Sequence, residues 1–208
     1  MSKNVCSTKK LTAQMYSFLE KFEMITVKGV PYYFVNFDRK FKKNDWGGFS
    51  LYYRVGPNLG IKVFKQQYKR LGNLVRFRTF LEAKEEVSVL SVASASGFTP
   101  RLAIEIIVKH RGKYCAAIIM EHISGQPLCN VIGSSDFVDS YTASISGKLM
   151  KSPYGYDIKD LLYERLKNKT RVKHEDLHPG NIILGSNKKL YVIDFSPDFC
   201  KMANRNGV

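Results

Sequence analysis

Apolar residues recur at helical spacing in three parts of the chain. Residues 11–24, 74–93 and 157–168 each place them three or four positions apart, which is the pattern of a helix with one buried face. The stripe of the first helix consists of Leu11, Met15, Phe18, Leu19 and Phe22. The stripe of the third consists of Ile158, Leu161, Leu162 and Leu166, with Asp157 as the predicted cap. The second helix is predicted to end at Ala95-Ser96-Gly97.

Short runs rich in aromatic and β-branched residues predict strands between these helices. One run covers residues 30–37. Three pairs of runs predict antiparallel hairpins, at 51–55 with 61–64, at 102–108 with 114–120, and at 182–184 with 190–193. Glycine, proline and asparagine supply the turns between the members of each pair. Hairpins mixed with helices predict the α+β fold class.

The composition is that of a folded protein. Of 208 residues 44% are apolar and 7 are proline, and there is no low-complexity tract. No apolar run reaches the ~18 residues of a membrane-spanning helix, and the N-terminus has neither a secretory signal nor a myristoylation glycine. Cys6, Cys115, Cys129 and Cys200 are scattered without a C-x-x-C pair. We therefore expect reduced thiols, no zinc site and a cytoplasmic location.

The formal net charge of +15 is concentrated in the first part of the chain. Residues 1–84 contain 17 Lys/Arg and 5 Asp/Glu, whereas residues 85–208 contain 16 and 13. A basic half attracts nucleotides, nucleic acids, anionic membranes or acidic partners, and a solvated basic surface is an equally good interpretation. No RNA-recognition pattern or helix-turn-helix signature is present. Specific nucleic-acid binding is therefore not expected, and neither is a membrane span.

Residues 174–194 contain the strongest chemical signal. The sequence HEDLHPGNIIL is followed by a polar turn and then by LYVIDF. It places Asp176 and Asn181 on one loop and Asp194 on a second, with a hairpin that fixes the distance between the loops. In phosphoryl transfer one carboxylate orients the attacking hydroxyl, while an asparagine and a second carboxylate hold Mg²⁺ on the phosphates. The alternative is a chance polar hairpin with two solvated aspartates.

The spacing H-x-D-x-x-x-x-N followed by D-F resembles the catalytic loop and metal loop of the protein-kinase-like superfamily. This resemblance implies that Asp176 is the base or orienting carboxylate and that Asn181 and Asp194 are Mg²⁺ ligands. It also implies that His174 packs beneath the metal loop. The implied cofactors are ATP and Mg²⁺, with Mn²⁺ as an alternative metal.

The order of the predicted elements is similar to that of a bilobal protein-kinase-like fold. The resemblance implies an N-terminal lobe over residues 1–121, with an antiparallel sheet and the helix at 74–93. A hinge over 122–128 would lead to a reduced, mostly helical C-terminal lobe over 129–208. That second lobe would carry both loops.

Lys62 is the candidate phosphate-binding lysine within this resemblance. Gly60-Ile61-Lys62-Val63-Phe64 resembles the kinase V-A-I-K strand, whose lysine holds the α and β phosphates, and the neighbouring Lys65 and Lys69 are alternatives. Gly47 and Gly48 would form the turn that covers the nucleotide, because residues without Cβ let backbone N–H groups approach phosphates.

A glutamate on the following helix would pair with Lys62. Glu86 is favoured because apolar Val89 and Leu90 follow it by one turn, as in kinases. Glu82 is the second choice and would face the same side of the helix. Glu85 is interpreted as a solvated residue.

The stretch MEHISGQPL, residues 120–128, resembles the hinge of kinase-like phosphotransferases. The backbone of Glu121 and Ile123 would read the edge of adenine. Met120 would line the back of the base pocket, or serve as an ordinary core methionine.

Several residues depart from the protein-kinase pattern. Glu175 stands where many regulated kinases have the arginine that pairs with a phosphorylated activation loop, and Ser196 replaces the glycine of D-F-G. The segment DLHPGN, with His178, is closer to antibiotic and choline phosphotransferases. Only 14 residues follow Asp194, which implies that no activation segment is present. The resemblance is therefore to the compact, constitutively active kinases of bacterial effectors and viruses, which act in a host cytosol.

Three classes of function follow. The first is a protein kinase, acting on Ser/Thr more than Tyr, whose partner would be a folded protein substrate. The second is a small-molecule phosphotransferase similar to aminoglycoside and choline kinases. The third is a non-catalytic nucleotide-binding pseudokinase. Transfer of AMP in place of phosphate remains open, and the oligomeric state is not predicted.

Overall fold

The computed structural model of the chain describes residues 8–27, 29–36, 43–46, 50–64, 67–69, 75–77, 80–110, 113–131, 156–197 and 199–202. These residues belong to two units. The sheet unit lies within Cys6–Ser88 and Leu102–His122, and the loop unit lies within Val89–Arg101 and Ile123–Val208. The predicted hinge at 122–128 therefore begins at a unit boundary. Residues 89–101, which the sequence placed in the first lobe, belong to the loop unit.

The sheet unit contains a seven-stranded sheet. Its strands lie in the order β1 (Glu23–Val27), β2 (Val30–Asn36), β8 (Ala103–His110), β9 (Lys113–Glu121), β5 (Leu59–Phe64), β4 (Ser50–Arg54) and β3 (Lys43–Trp46). Neighbouring strands are antiparallel except for β2 and β8, which pair in parallel. Two further strands, β6 (Gln67–Lys69) and β7 (Val75–Phe77), form a separate antiparallel pair.

Alternation along the strands gives the sheet two different faces. Helix α1 (Thr8–Leu19) covers the apolar face, where the buried cluster includes Leu11, Met15, Leu19, Leu51, Tyr53, Ile61, Val63, Val108, Ala117 and Ile119. On the opposite face Tyr52, Lys62, Ile118 and Glu105 are successive cross-strand partners and form one row. Lys62 therefore lies on the face that α1 does not cover.

Short strands and one longer helix form the loop unit. Strands β10 (Gly125–Pro127), β12 (Ile182–Gly185) and β13 (Leu190–Val192) form one sheet, and β11 (Val172–His174) pairs with β14 (Cys200–Met202). Helix α3 (Leu128–Val131) follows β10, and helix α4 (Tyr156–Thr170) precedes β11. Of the predicted stripe of α4, Ile158, Leu162 and Leu166 are buried, and Leu161 is half-buried.

Two predicted helices are shorter than their apolar patterns suggested. Helix α1 ends at Leu19, and β1 begins within the predicted helix at Glu23, because the N–H groups of Lys21 and Phe22 bond back to Phe18 and Leu19 in a turn. Helix α2 (Phe80–Ala93) begins six residues later than predicted, because residues 75–77 pair with β6 as strand β7. A short 3-10 turn at Ser94–Ser96 follows α2, and Gly97 ends it with φ of +82°.

The second half of the chain contains more strand than predicted. Residues 125–127 of the predicted hinge form β10, and β14 pairs with β11 near the end of the chain. Within the described part of residues 129–208, four short strands, β11 to β14, accompany α4 and the end of α3. The partners of β10 and β14 are distant in sequence, and the local residue pattern does not identify such partners.

Within the part of the chain that the structure describes, no helix is both long enough and apolar enough to span a membrane.

Candidate functional site

The loop between β11 and β12 holds Asp176 and Asn181 in a fixed turn. The Asn181 side-chain Nδ2 donates to the backbone carbonyl oxygen of Asp176 at 2.9 Å, and its backbone N–H donates to the carbonyl of His178 at 2.8 Å. Asn181 is buried, whereas Asp176 is half-buried. Because the NH₂ end of the Asn181 amide bonds to the loop itself, its Oδ1 is the end that can face a cation.

His178 and Gly180 shape this loop. The Gly180 N–H donates to Nδ1 of His178 at 3.0 Å, which caps the 3-10 turn formed by Pro179–Asn181. A Cβ at position 180 would lie 2.7 Å from Cε1 of His178, so any other residue there would require the His178 ring to move. The DLHPGN segment thus has a local structural explanation in addition to any relation to small-molecule kinases.

The peptide of Ile193 ties the second loop to the first. Its N–H donates to the Asn181 carbonyl at 2.9 Å, and its carbonyl accepts from Nε2 of His174 at 3.0 Å. The N–H and the carbonyl of Ile193, the residue before Asp194, are therefore held by Asn181 of the first loop and by His174 of β11. The two loops predicted to act together are joined by hydrogen bonds.

Asp194 has an unusual backbone conformation. Its φ is +63°, in the left-handed region that non-glycine residues seldom occupy and that costs about 1–3 kcal/mol when imposed. The next residue, Phe195, is buried and packs edge-to-face on His174, with ring centroids 5.2 Å apart. The turn therefore buries Phe195 while leaving Asp194 exposed. His174 packs beneath this loop, as the sequence predicted.

The side-chain oxygen atoms of Asp176, Asn181 and Asp194 are of the types that bind magnesium. Mg²⁺ prefers carboxylate and carbonyl oxygens and is commonly held by one or two carboxylates together with substrate phosphates. Asp194 has an exposed carboxylate and Asn181 has an amide oxygen, which are ligand types that Mg²⁺ accepts. Among the described residues, no group of three or more His, Cys, Asp or Glu side chains could hold a metal ion. Asp176, on the same loop as Asn181, supplies a second carboxylate.

We predict that His174 makes the stability of the protein depend on pH. Burial lowers the pKa of its imidazole, although the Ile193 carbonyl and the carboxylates of Asp194 and Asp176 oppose this. The unfolded chain, with a histidine pKa of about 6.5, then binds the proton more readily than the folded chain. The stability is present above that pH and is lost as the pH falls toward the folded pKa.

Denaturant unfolding at pH 7.5 and pH 5.5 tests this prediction on the wild type and on His174→Gln. The wild type should lose more free energy of unfolding between the two pH values than the variant does, because glutamine does not titrate. An equal loss in both proteins would contradict the assignment.

In the sheet unit, Lys62 and Glu86 form a buried ion pair. Lys62 Nζ donates to Glu86 Oε1 at 2.7 Å, and the two side chains are 10% and 1% exposed. The Lys62 ammonium also lies 5.4 Å from the centre of the Phe64 ring. This is the pairing that the sequence favoured.

The position of Glu86 on helix α2 explains the pairing. The buried side of the helix carries Ala83, Glu86, Leu90 and Ala93 at spacings of three or four residues. Glu85 is exposed and Glu82 is half-buried. The carboxylate on the buried stripe is thus the one that meets the strand lysine.

The predicted base-binding segment begins at the end of β9. Met120 and Glu121 are buried, with Gly60 and Leu59 as their respective cross-strand partners on β5. The predicted contact Ile123 is the first residue of the loop unit in this part of the chain. The predicted nucleotide-covering turn, Gly47 and Gly48, lies outside the described residues.

Sequence reasoning did not identify Tyr52. Its hydroxyl lies 2.9 Å from Nδ1 of His122, and the two rings stack with centroids 5.8 Å apart. The local pattern showed only an aromatic residue in a strand. The nearby Gly60 could have been a signal, since a glycine inside a strand often marks a close approach by another group.

Comparisons with known proteins do not assign the chain to a family. No protein-family model matches it, and no curated protein is significantly similar to it in sequence.

Proposed function

We propose that the protein is an ATP- and Mg²⁺-dependent phosphotransferase of the protein-kinase type, which transfers the γ-phosphate to a Ser or Thr hydroxyl of a protein. The observation that carries this proposal is the buried pair of Lys62 and Glu86. Protein kinases use a strand lysine, held by a helix glutamate, to bind the phosphates of ATP.

A purely structural role explains this ion pair poorly. Removing two charges from water costs several kcal/mol per ion, and replacing a buried pair with apolar residues is often neutral or stabilising by about 1–4 kcal/mol. An ammonium positioned by a glutamate is instead well suited to bind an anion. Lys62 has three N–H donors, so it can bond to a phosphate oxygen while it remains bonded to Glu86.

The loop unit supports the same proposal. Asp176 would accept a hydrogen bond from the attacking hydroxyl and orient it, and the bond from Asn181 to the Asp176 carbonyl keeps this loop in place. Asn181 and Asp194 would hold Mg²⁺, which when bound neutralises charge on the β and γ phosphates. His174, kept neutral by burial, supplies the Nε2–H that holds the Ile193 carbonyl and so positions Asp194.

The order of the elements supports a protein-kinase-like fold of two lobes. A mostly antiparallel sheet with helix α2 precedes the segment at 122–128, and the two loops follow it. We propose that the sheet unit is the nucleotide lobe and that the loop unit is the catalytic lobe.

Labelled ATP tests the proposed function. The protein is incubated with γ-labelled or α-labelled ATP, Mg²⁺ and a cell lysate, and the label is followed in protein bands and in small solutes. Label from γ-ATP on proteins supports the proposal. Label from α-ATP on proteins indicates AMP transfer, and no label with either nucleotide indicates a non-catalytic module.

A small-molecule phosphotransferase is the second candidate, favoured by the DLHPGN segment with its capping contact between His178 and Gly180. It predicts that γ-label appears in small solutes of the same lysate and not on proteins.

We predict that activity does not require phosphorylation of the protein. Kinases that need it dock the phosphorylated loop on an arginine beside the catalytic aspartate. Here the neighbour of Asp176 is Glu175, whose carboxylate repels phosphate and lies 3.3 Å from Nζ of Lys201. Protein made in bacteria should therefore keep its rate after phosphatase treatment. Loss of most of the activity would contradict this prediction.

A further inference from the structure

On the face of the sheet that carries Lys62, Gly60 has no side chain and leaves a notch, which another side chain fills. Gly60 is paired with Arg54 on β4 and with Met120 on β9, so its row lacks a side chain between these two neighbours. The ring of Tyr52, which lies one row away, covers the position. A Cβ built on Gly60 would overlap the Tyr52 hydroxyl and Cζ and would lie 2.8 Å from Cε2.

A hydrogen bond holds Tyr52 over this notch. Its hydroxyl lies 2.9 Å from Nδ1 of His122. Burial lowers the pKa of His122, aided by the nearby charge of Arg54, and burial raises the pKa of Tyr52. Tyr52 is therefore the donor and the neutral imidazole is the acceptor, which is a stable arrangement at neutral pH.

The notch lies beside the segment proposed to read the nucleotide base. Met120 is the direct partner of Gly60, and Glu121 is the partner of the preceding Leu59. The backbone N–H of His122 donates to the Asn58 carbonyl at 2.9 Å, which ties the end of β9 to the turn before β5. Tyr52 thus covers the sheet surface next to Met120, and its hydroxyl is hydrogen-bonded to the side chain of His122, the residue after Glu121.

We propose that Tyr52 controls access of the purine base to this site, an inference that rests on the proposed function. The ring occupies the surface against which a planar base would pack, and the His122 bond keeps it there. A nucleotide binds after Tyr52 rotates away, so the apparent affinity is reduced by the fraction of molecules in which the ring covers the notch. In the similar V-A-I-K strand alanine stands at the position of Gly60, and the methyl group of that alanine would exclude the ring from this position.

Equilibrium binding of Mg-ATP to the intact protein tests the inference through three variants. Tyr52→Phe removes the hydrogen bond and keeps the ring, so the apparent Kd should fall about fivefold, the effect of one neutral hydrogen bond. Tyr52→Ala removes the ring and should lower the Kd further. Gly60→Ala pushes the ring away from the strand and should also lower the Kd.

The chain provides a matched control for each kind of change. Tyr53 lies on the opposite face of the sheet and has its own histidine contact, with its hydroxyl 2.9 Å from Nε2 of His110. Tyr53→Phe therefore removes a similar hydrogen bond on the face of the sheet opposite the notch. Gly56→Ala adds a methyl group in the same hairpin, where the nearest atom is Leu59 Cβ at 3.7 Å. Both controls should leave the Kd of Mg-ATP unchanged.

The outcomes separate this inference from the proposed function. Tighter binding by Tyr52→Phe, with Tyr53→Phe unchanged, supports the inference. An affinity for Mg-ATP that is unchanged or weaker in Tyr52→Phe than in the wild type overturns the inference and leaves the proposed function intact, since weaker binding means that the hydroxyl, or the ring position that its bond fixes, favours the nucleotide. Tyr52→Phe removes one atom, so it decides the question even if Tyr52→Ala fails to fold. No Mg-ATP binding by the wild type or any variant overturns the proposed function.

Discussion

Asp194→Ala is expected to lower the rate of phosphoryl transfer by about 10³-fold or more. Stabilising the charge on the transferred phosphoryl group is most of the catalytic work, and losing one preorganised electrostatic contact typically costs about 10²–10³ in kcat. Asp194 combines an exposed carboxylate with a backbone held in an uncommon conformation, which is a common feature of functional sites. Initial rates with γ-labelled ATP over a range of Mg²⁺ concentrations measure the effect.

Substitutions of two other aspartates test whether the loss of rate is specific to Asp194. Asp160→Ala removes an exposed carboxylate from helix α4 of the same unit, 3.8 Å from Nζ of Lys159, and should leave the rate unchanged. Asp176→Ala should lose turnover but keep most of its ATP affinity, because its proposed role is at the attacking hydroxyl. Near wild-type rates for both Asp176→Ala and Asp194→Ala would show that the loops do not act as proposed.

Glu86→Gln and Lys62→Met are expected to impair both stability and activity. Removing one member of a buried ion pair leaves the other charge without its counterion and typically costs about 3–5 kcal/mol. Lys62 also has a proposed contact with the phosphates, so turnover should fall by at least about 10²-fold. Denaturant unfolding measures the first effect, and initial rates measure the second. Glu85→Gln is the matched control, because Glu85 is exposed on the same helix, and it should change neither.

Replacing both charges separates stability from catalysis. A Lys62→Met, Glu86→Leu double variant has no buried charge at this position, so its free energy of unfolding should return close to that of the wild type. Its phosphotransfer should remain absent, because no ammonium is left to hold phosphate. A double variant that is stable and active would show that the ion pair serves the fold alone.

The local sequence pattern was sufficient to predict which glutamate pairs with Lys62. The sequence offered Glu82, Glu85 and Glu86, and the apolar residues one turn after Glu86 favoured it. That inference succeeded because helical periodicity is a local property, and it places Glu86 on the same stripe as Leu90 and Ala83. The distance of 2.7 Å to Lys62 depends on the approach of α2 to strand β5, and Lys62 lies 24 positions before Glu86 in the sequence.

The connection between the two acidic loops depended more on tertiary structure. The hairpin from β12 to β13 follows from turn residues and apolar runs, so the separation of the loops along the chain was predictable. The bonds from Ile193 to Asn181 and from His174 to Ile193 were not. The acceptor in both bonds is a backbone carbonyl, which every residue type carries, so no residue pattern identifies these bonds.

The sequence by itself determined the elements with a strong periodic pattern, which are α1, α4 and the central hairpins. It also determined the spacing of Asp176, Asn181 and Asp194 along the chain. Tertiary structure alone decided the parallel pairing of β2 with β8, the short strands β10 and β14, and the position of Tyr52 over Gly60. The physical reason is the range of the interactions. Helical stripes and tight turns are set by neighbours within a few residues. The strand partners of β8, β10 and β14 lie far along the chain, and the position of Tyr52 over Gly60 is held by a bond to the distant His122, so these features form only when the whole unit folds.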